Sequence, residues 1–234
     1  MVRDKDAVGA ALLDFYNNSY TTDIIVKSSI SEADVIPIPY LFRSEKELPT
    51  LEKMALELCK GRVLDVGAGS GCHSIILKGK GVEVLAIDTS EGAVEVMQKR
   101  GLNSQCINFY NVNEKYDTLL FLMNGVGIAG TLNELPKFLK KAKSLLNSGG
   151  QILLDSSDIQ YMFEEEDGSL WADLNGDYYG EVNYQMQYKN YTTDKFDWLF
   201  VDFDKLKRVA KSLDLKIELV FEDNNNQYLA RLFF

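Results

Sequence analysis

Three glycines at two-residue spacing, Gly67, Gly69 and Gly71, follow directly on the apolar run Val63-Leu64-Asp65-Val66. Glycine takes positive φ without steric cost and lets backbone amides approach a ligand, so this spacing describes a loop that holds something against the main chain. One acid, Asp65, precedes the first glycine by two residues. Another, Asp88, closes the stretch Val84-Leu85-Ala86-Ile87 about 20 residues on, where a carboxylate in a doubly wound fold meets a ribose diol and accepts from both hydroxyls. A nucleoside-containing ligand is the expectation.

The dinucleotide fingerprint G-x-G-x-x-G would need glycine at position 72, where Cys72 stands. An acid followed by G-x-G-x-G suits S-adenosylmethionine (SAM) better: that molecule has no pyrophosphate for a helix N-terminus to hold, and its α-amino group favours an acceptor such as Asp65. Two other readings stay open, a nicotinamide-dependent oxidoreductase on the same strand, turn and helix, and a SAM-binding module without catalysis.

These residues work only if secondary structure places them. Residues 63–66 read as a buried strand, and Ile75-Ile76-Leu77 as the apolar side of the next helix. Further strands are expected at 82–88, weakly at 104–107, strongly at 116–123, and at 151–155. Between them, helices are expected at 93–99, with Val94 and Met97 inward, and at 132–146, with Leu135, Leu139, Ala142 and Leu146 on one side. Gly149-Gly150 is expected to end the second of these helices. Asp202 can cap a helix presenting Leu206, Val209, Ala210 and Leu213, and 216–221 and 228–234 flank the turn-rich Glu222 to Asn226. The pattern predicts an α/β, doubly wound, mostly parallel seven-stranded sheet with an antiparallel final strand.

Two segments depart from this rhythm. Val182, Tyr184, Met186 and Tyr188 alternate with polar residues, and Phe196, Trp198 and Phe200 supply an antiparallel partner, so an inserted β-hairpin is expected. Upstream, Val8, Ala11, Leu12 and Phe15, then Leu51, Met54, Ala55 and Leu58, predict helices on either side of an irregular 21–43 containing Pro37 and Pro39. Residues 1–60 are thus expected as an N-terminal helical cap of the same domain. Residues 61–234 form the ligand-binding domain, with an aromatic-rich insert at about 156–201.

Val63-Leu64-Asp65-Val66-Gly67-Ala68-Gly69-Ser70-Gly71, Ile87-Asp88, Tyr116-Asp117 and Leu145-Leu146-Asn147-Ser148-Gly149-Gly150 together resemble the class I SAM-dependent methyltransferase superfamily. The resemblance covers roughly 61–155 by motif and extends to 234 by element order. It implies SAM as cofactor and S-adenosylhomocysteine as product, bound by Asp65, Gly67, Ala68, Gly69, Gly71, Asp88 and Thr89. It also implies Asn108 and Phe109 at the adenine, with Phe109 available to pack on the base, and Met123 and Asn124 near the methionine moiety. Many relatives carry Asp where Asn108 stands, so here the exocyclic amine would meet an amide carbonyl.

Methyl transfer is a direct displacement that gains mainly from alignment in a dry pocket, so a base is optional. In open α/β sheets that pocket lies beyond the carboxyl ends of the strands, which points to Met123-Asn124-Gly125 and Asp155-Ser156. Asp155 and His73, the only histidine, are the candidate bases; His73 alternatively packs against the loop or contacts SAM's carboxylate region. Asp158 reads as a solvated loop carboxylate. Arg43 can hold SAM's carboxylate by paired hydrogen bonds, or be an ordinary surface arginine. Tyr161, Trp171, Tyr178, Tyr179, Tyr184 and Trp198 either wall an acceptor site or pack the insert onto the sheet.

Composition narrows the acceptor. With 35 Asp plus Glu against 25 Lys plus Arg, the net charge of −10 repels a phosphate backbone, and Lys137 to Lys143 and Lys205 to Lys211 read as solvated helix faces. Asn124-Gly125-Val126-Gly127 also lacks the Asn/Asp-Pro-Pro-aromatic motif of base-methylating enzymes, so a small-molecule acceptor is expected and nucleic acid is disfavoured. Cys59, Cys72 and Cys106 are odd in number without C-x-x-C spacing, and no His or carboxylate cluster suggests a metal. No run of 18 apolar residues exists, and four of the first six residues are charged with no apolar stretch behind them, so neither a membrane span nor a secretory leader is expected and the cytoplasm is the expected compartment.

Overall fold

The structure, a computed structural model, describes residues 4–163 and 178–234. The elements run α1 (Ala7–Tyr16), β1 (Ile24–Ser28), β2 (Asp34–Ile36), α2 (Thr50–Leu58), β3 (Val63–Val66), α3 (Cys72–Gly79), β4 (Val84–Asp88), α4 (Glu91–Lys99) and β5 (Ser104–Cys106). They continue with β6 (Tyr116–Phe121), α5 (Leu135–Ser144), β7 (Leu146–Ser157), β8 (Glu181–Tyr188), β9 (Tyr191–Thr192), β10 (Phe196–Leu199), α6 (Phe203–Ser212), β11 (Lys216–Glu222) and β12 (Gln227–Phe233).

Seven strands form the main sheet in the order β11-β12-β7-β6-β3-β4-β5. β7, β6, β3, β4 and β5 pair in parallel, whereas β12 runs antiparallel to both β7 and β11. Parallel strands covered on both faces read as continuous apolar runs, and all four residues of β3 are buried. Successive side chains go to opposite layers. Leu64, Leu119, Phe121 and Leu154 pack with Phe138 and Leu139 of α5, while Val63, Leu120, Leu153 and Leu229 pack with Ala55 of α2 and Leu77 of α3.

The N-terminal portion is more than the helical cap expected. Both predicted helices form, but the segment read as irregular supplies β1 and β2, which join the insert in a second, antiparallel sheet of order β10-β8-β1-β2, with β9 paired to β8. Ile25 stands opposite Gln187 and Ser28 opposite Tyr184, so the expected hairpin is completed by strands more than 150 positions earlier. Helix α1 meets α4 where two glycines remove the obstruction: a Cβ on Gly92 would lie 2.6 Å from the backbone of Gly9. The Asp6 carboxylate fastens this junction, accepting from the Gly9 and Gly92 amides and from Ser90 Oγ.

Gly149-Gly150 does not end α5. Leu145 closes that helix through its own amide to Ala142 and Lys143, and Leu146 already pairs with Tyr116. The two glycines instead carry the register shift between β6 and β7, with Gly149 at φ 75°. Among the described residues, no helix is long and apolar enough to cross a membrane.

Candidate active site

The carboxyl ends of β3, β4 and β6 open on a cavity of about 950 Å³ bounded on another side by the small sheet and α1. This is the crevice a doubly wound sheet creates where neighbouring connections leave in opposite directions. Glycines 67, 69 and 71 take φ of 71°, 56° and 77°, and the amides of Gly67 and Ala68 both donate to the carbonyl of Ile87, lacing the loop to β4. A side chain added at Gly69 would meet nothing within 4 Å. The loop therefore presents bare backbone to open space.

Asp88 holds the other side of the loop. Its Oδ2 accepts from the Gly69 amide and its Oδ1 from the Ser90 amide, each at 2.9 Å, which leaves lone pairs on both oxygens. Burial raises its pKa, and the amide hydrogen bonds oppose that rise. Asp65 is buried on the cavity wall, where its Oδ2 accepts from Ser74 Oγ at 2.6 Å; burial raises its pKa too, against the pull of His73 and Ser74.

At the β3 end lies a buried ionic cluster that sequence reasoning missed in part. Glu52 of α2, which the sequence does not single out, is 4% exposed and accepts from Arg43 Nη2 at 3.0 and 3.1 Å. On its other flank, Glu52 Oε2 stands 2.6 Å from His73 Nε2. Burial works against the His73 imidazolium, but Cys72, Glu52 and Asp65 outweigh it and raise its pKa well above 6.5. Burial likewise opposes the Glu52 carboxylate, yet His73 and Arg43 hold its pKa down. Arg43 is no surface residue: it is 5% exposed, stacks 3.7 Å from the Tyr40 ring centroid and reaches Met123 Sδ at 3.7 Å. Its Nε and Nη1 have no hydrogen-bond partner. Arg43 and His73 thus flank one carboxylate, beside cavity residues His73 and Met123.

The turn after β6 is strained and braced. Met123 and Asn124 both adopt left-handed φ, 65° and 57°, a region that costs a side-chain-bearing residue about 1–2 kcal/mol. Asp155 restrains the turn: its carboxylate, fully buried, accepts from the Asn124 and Gly125 amides and from Gln227 Nε2, while Ser157 Oγ bonds Asn124 Oδ1. Burial lifts the Asp155 pKa to about 6 despite those amides. Asp155, a candidate base, is thus not on the cavity wall; Met123 and Asn124 are.

Thr89, just after β4, and Asn108 and Phe109, beyond β5, all border the cavity. The Asn108 carbonyl accepts from the Tyr110 amide and caps a short 3-10 turn, so it already has one donor. The Phe109 ring is buried against Phe121 and Phe138.

The aromatics of the insert divide. Tyr184 and Trp198 wall the cavity together with Phe196 and Phe200. Tyr178 and Tyr179 pack against each other with tilted rings and donate to Asp202 and Asp158, away from it, and Tyr161 is exposed. Asp158 also accepts from the Gln160 amide. Trp171 lies outside the described residues. Among the described residues, no group of three or more His, Cys, Asp or Glu is arranged to hold a metal, and the three cysteines are unpaired with one another.

Residues 63–150 match a family described as a methyltransferase domain. The fold superimposes with a TM-score of 0.93 on a SAM-dependent methyltransferase from Bacteroides fragilis in complex with S-adenosyl-L-homocysteine, 45% identical, over 98% of this chain and 95% of that one. A ribosomal protein L11 methyltransferase of Thermosipho melanesiensis is 34% identical over 131 residues, 50% of this chain and 49% of that relative. The chain spans about half the length of the first two curated relatives it matches, and 78% of a third, an uncharacterized methyltransferase of Staphylococcus carnosus that is 27% identical over 178 residues. With the glycine loop, the acid ending β4 and a 45% identical relative covered almost end to end, the chain belongs to the SAM-dependent methyltransferase family.

Proposed function

We propose that this chain moves the methyl group of SAM to an N, O or C atom of a small-molecule acceptor by direct displacement. The observation that carries this reading is one cavity running from the glycine loop and Asp88 to the aromatic face of the small sheet. A cofactor on the first side and an acceptor on the second would meet inside it.

The residues present fit the cofactor. Open space over Gly69 suits a ligand held against bare backbone, Asp88 keeps free lone pairs for a ribose diol, and Asp65 offers an acceptor for the α-amino group. Arg43, with two unpartnered guanidinium nitrogens, suits the α-carboxylate. Met123 and Asn124 border the methionine moiety, Thr89 the ribose, and Asn108 and Phe109 the adenine. When bound, SAM supplies an electrophilic sulfonium methyl. The chain's own contribution is to bind, align and exclude water, which is enough for much of the acceleration in a displacement. His73 has its Nε2 engaged by Glu52 and a pKa raised above 6.5, which makes it a poor base; Asp155 acts by fixing the turn after β6.

A protein acceptor is a second reading, favoured by the likeness to the ribosomal protein L11 methyltransferase. The aromatic wall of the cavity favours the small molecule. The first test is thermal: SAM and S-adenosylhomocysteine should raise the melting temperature, by the equivalent of about 2.7 kcal/mol at 100 times Kd, and NAD should not. Stabilisation by NAD alone would make the chain an oxidoreductase. SAM that binds but is consumed with no small molecule or protein acceptor would make it a silent binding module.

A further inference from the structure

We infer that Glu52 is a positioning residue: it holds Arg43 for the carboxylate at the amino-acid end of the cofactor, and through that clasp the chain selects cofactors that carry a carboxylate. The inference rests on the methyl-transfer reading and deepens it on the cofactor side.

The glycine loop itself places Arg43. That residue caps the short 3-10 turn Ile38–Phe42, and within the turn the carbonyl of Leu41 accepts from Ser70 Oγ, which stands between Gly69 and Gly71. Arg100 at the end of α4 fixes Ser70 in turn: its Nη1 donates to the Ser70 carbonyl at 2.6 Å and to Oγ at 3.1 Å. Leu41 and Ser70 border the cavity, as do His73 at the start of α3 and Met123 after β6. With Nη2 3.7 Å from Met123 Sδ, the guanidinium is held between the glycine loop and the turn after β6.

Glu52 sets the orientation of that group. Tyr40 covers one face of the guanidinium, with Cζ 3.7 Å from the ring centroid, and both Glu52 oxygens grip the same nitrogen, Nη2, at 3.0 and 3.1 Å. Glu52 is itself braced, since its Oε2 stands 2.6 Å from His73 Nε2 and all three side chains are buried. A carboxylate that took two nitrogens in the usual fork would consume an edge of the guanidinium. Glu52 takes one, so Nε and Nη1, which carry more than half of the N–H donors, are buried with no hydrogen-bond partner among the described residues. Buried donors are costly to leave unpaired, and folded proteins pair nearly all of them. The anionic group that SAM carries is its α-carboxylate, whose planar shape matches these donors. The charge of Glu52 opposes a second carboxylate while its grip orients Arg43 toward one, and the two effects have opposite signs in a binding experiment.

The test reads binding rather than turnover. Calorimetry compares S-adenosylhomocysteine with decarboxylated S-adenosylhomocysteine, which lacks only the α-carboxylate, on the full native chain and on Glu52→Asp, Glu52→Gln and Arg43→Met, each first checked for native circular dichroism. The native chain should prefer the carboxylate-bearing compound by about tenfold or more, the scale of one hydrogen bond to a charged group. Glu52→Asp keeps the charge but draws it back by one methylene. Positioning therefore predicts that Glu52→Asp lowers the preference at least threefold, as Glu52→Gln also does, while the Kd for the decarboxylated compound stays within threefold of native. A purely structural role would weaken both compounds alike and leave the preference unchanged, which overturns the inference. A preference that rises in Glu52→Gln overturns it too, because Glu52 would then act by repulsion. Arg43→Met should erase the preference, and a preference retained there removes Arg43 from the carboxylate. Should Glu52→Gln fail to fold, Glu52→Asp decides. Equal affinity of the native chain for both compounds overturns carboxylate selection and leaves the methyl-transfer reading standing; failure of S-adenosylhomocysteine to bind removes both.

Discussion

The indole of Trp198 fills the space that any side chain on Gly127 would need, so β10 of the small sheet is seated directly on the turn that follows β6. This contact joins the aromatic wall of the cavity to the strained Met123-Asn124 turn. Gly127→Ala should therefore push the two apart. The expected result is a fall in kcat/KM of at least tenfold with any competent acceptor, a change of less than threefold in S-adenosylhomocysteine affinity, and an overpacking cost of about 1–3 kcal/mol. Steady-state kinetics and calorimetry on the same preparation read both; equal losses in the two would show that the contact serves the cofactor side instead.

Asp88→Ala removes a carboxylate that holds the Gly69 and Ser90 amides and lines the cavity where the ribose is proposed to bind. Hydrogen bonds to a charged group contribute about 1.5–3 kcal/mol each, so the Kd for SAM should rise by about 100-fold or more. Calorimetric titration checks it. Unchanged affinity would take Asp88 out of the ribose site.

Glu52→Gln leaves Arg43 and His73 facing each other without their carboxylate. Breaking a buried ion pair from one side costs about 3–5 kcal/mol, measured by urea unfolding near neutral pH. The sign of the pH dependence follows from His73. Its folded pKa is above the ordinary 6.5, so the stability it contributes is complete below 6.5 and is lost as pH rises through the folded value. The stability gap between the native chain and Glu52→Gln should shrink on the alkaline side; a constant gap would mean His73 is neutral in the folded chain.

Asp155 titrates in the opposite range. Its pKa rises from 3.8 to about 6 on folding, so the folded state takes up the proton first, and the associated stabilisation is full below 3.8 and lost as pH rises through about 6. At about 1.4 kcal/mol per pH unit, this amounts to roughly 3 kcal/mol at most. Relative to Asp155→Asn, the native chain should gain stability as pH falls from about 6 to 4. Over the same interval its SAM affinity should weaken, because a protonated carboxyl holds the Asn124 and Gly125 amides less well. Parallel curves for the two proteins would remove the Asp155 assignment.

The parts of the site that announce themselves in the sequence are those whose chemistry is local. Gly67, Gly69 and Gly71 next to Val63–Val66 specify a strand, a turn and a helix within one short segment, and Asp88 closes the next strand. Parallel strands buried on both sides gave unmistakable apolar runs such as Tyr116–Phe121. What stayed hidden depended on distant partners. Ile24–Ser28 is five residues long, ends in Lys27 and Ser28, and has no turn leading to its main partner, β8, which lies in the last quarter of the chain. Glu52 has the spacing of a solvated helix acid, and only the approach of Arg43 and His73 makes its burial tolerable. Gly149-Gly150 carries the residue type of a helix end, yet Leu145 ends the helix first.

The most direct test of the whole account is a crystal structure of the chain with S-adenosylhomocysteine bound. The ribose should lie on Asp88, the amino-acid end near Asp65, Arg43 and His73, and the sulfur should face the Trp198 and Phe196 side of the cavity. A ligand bound away from the glycine loop, or with its sulfur turned from the small sheet, would contradict the account.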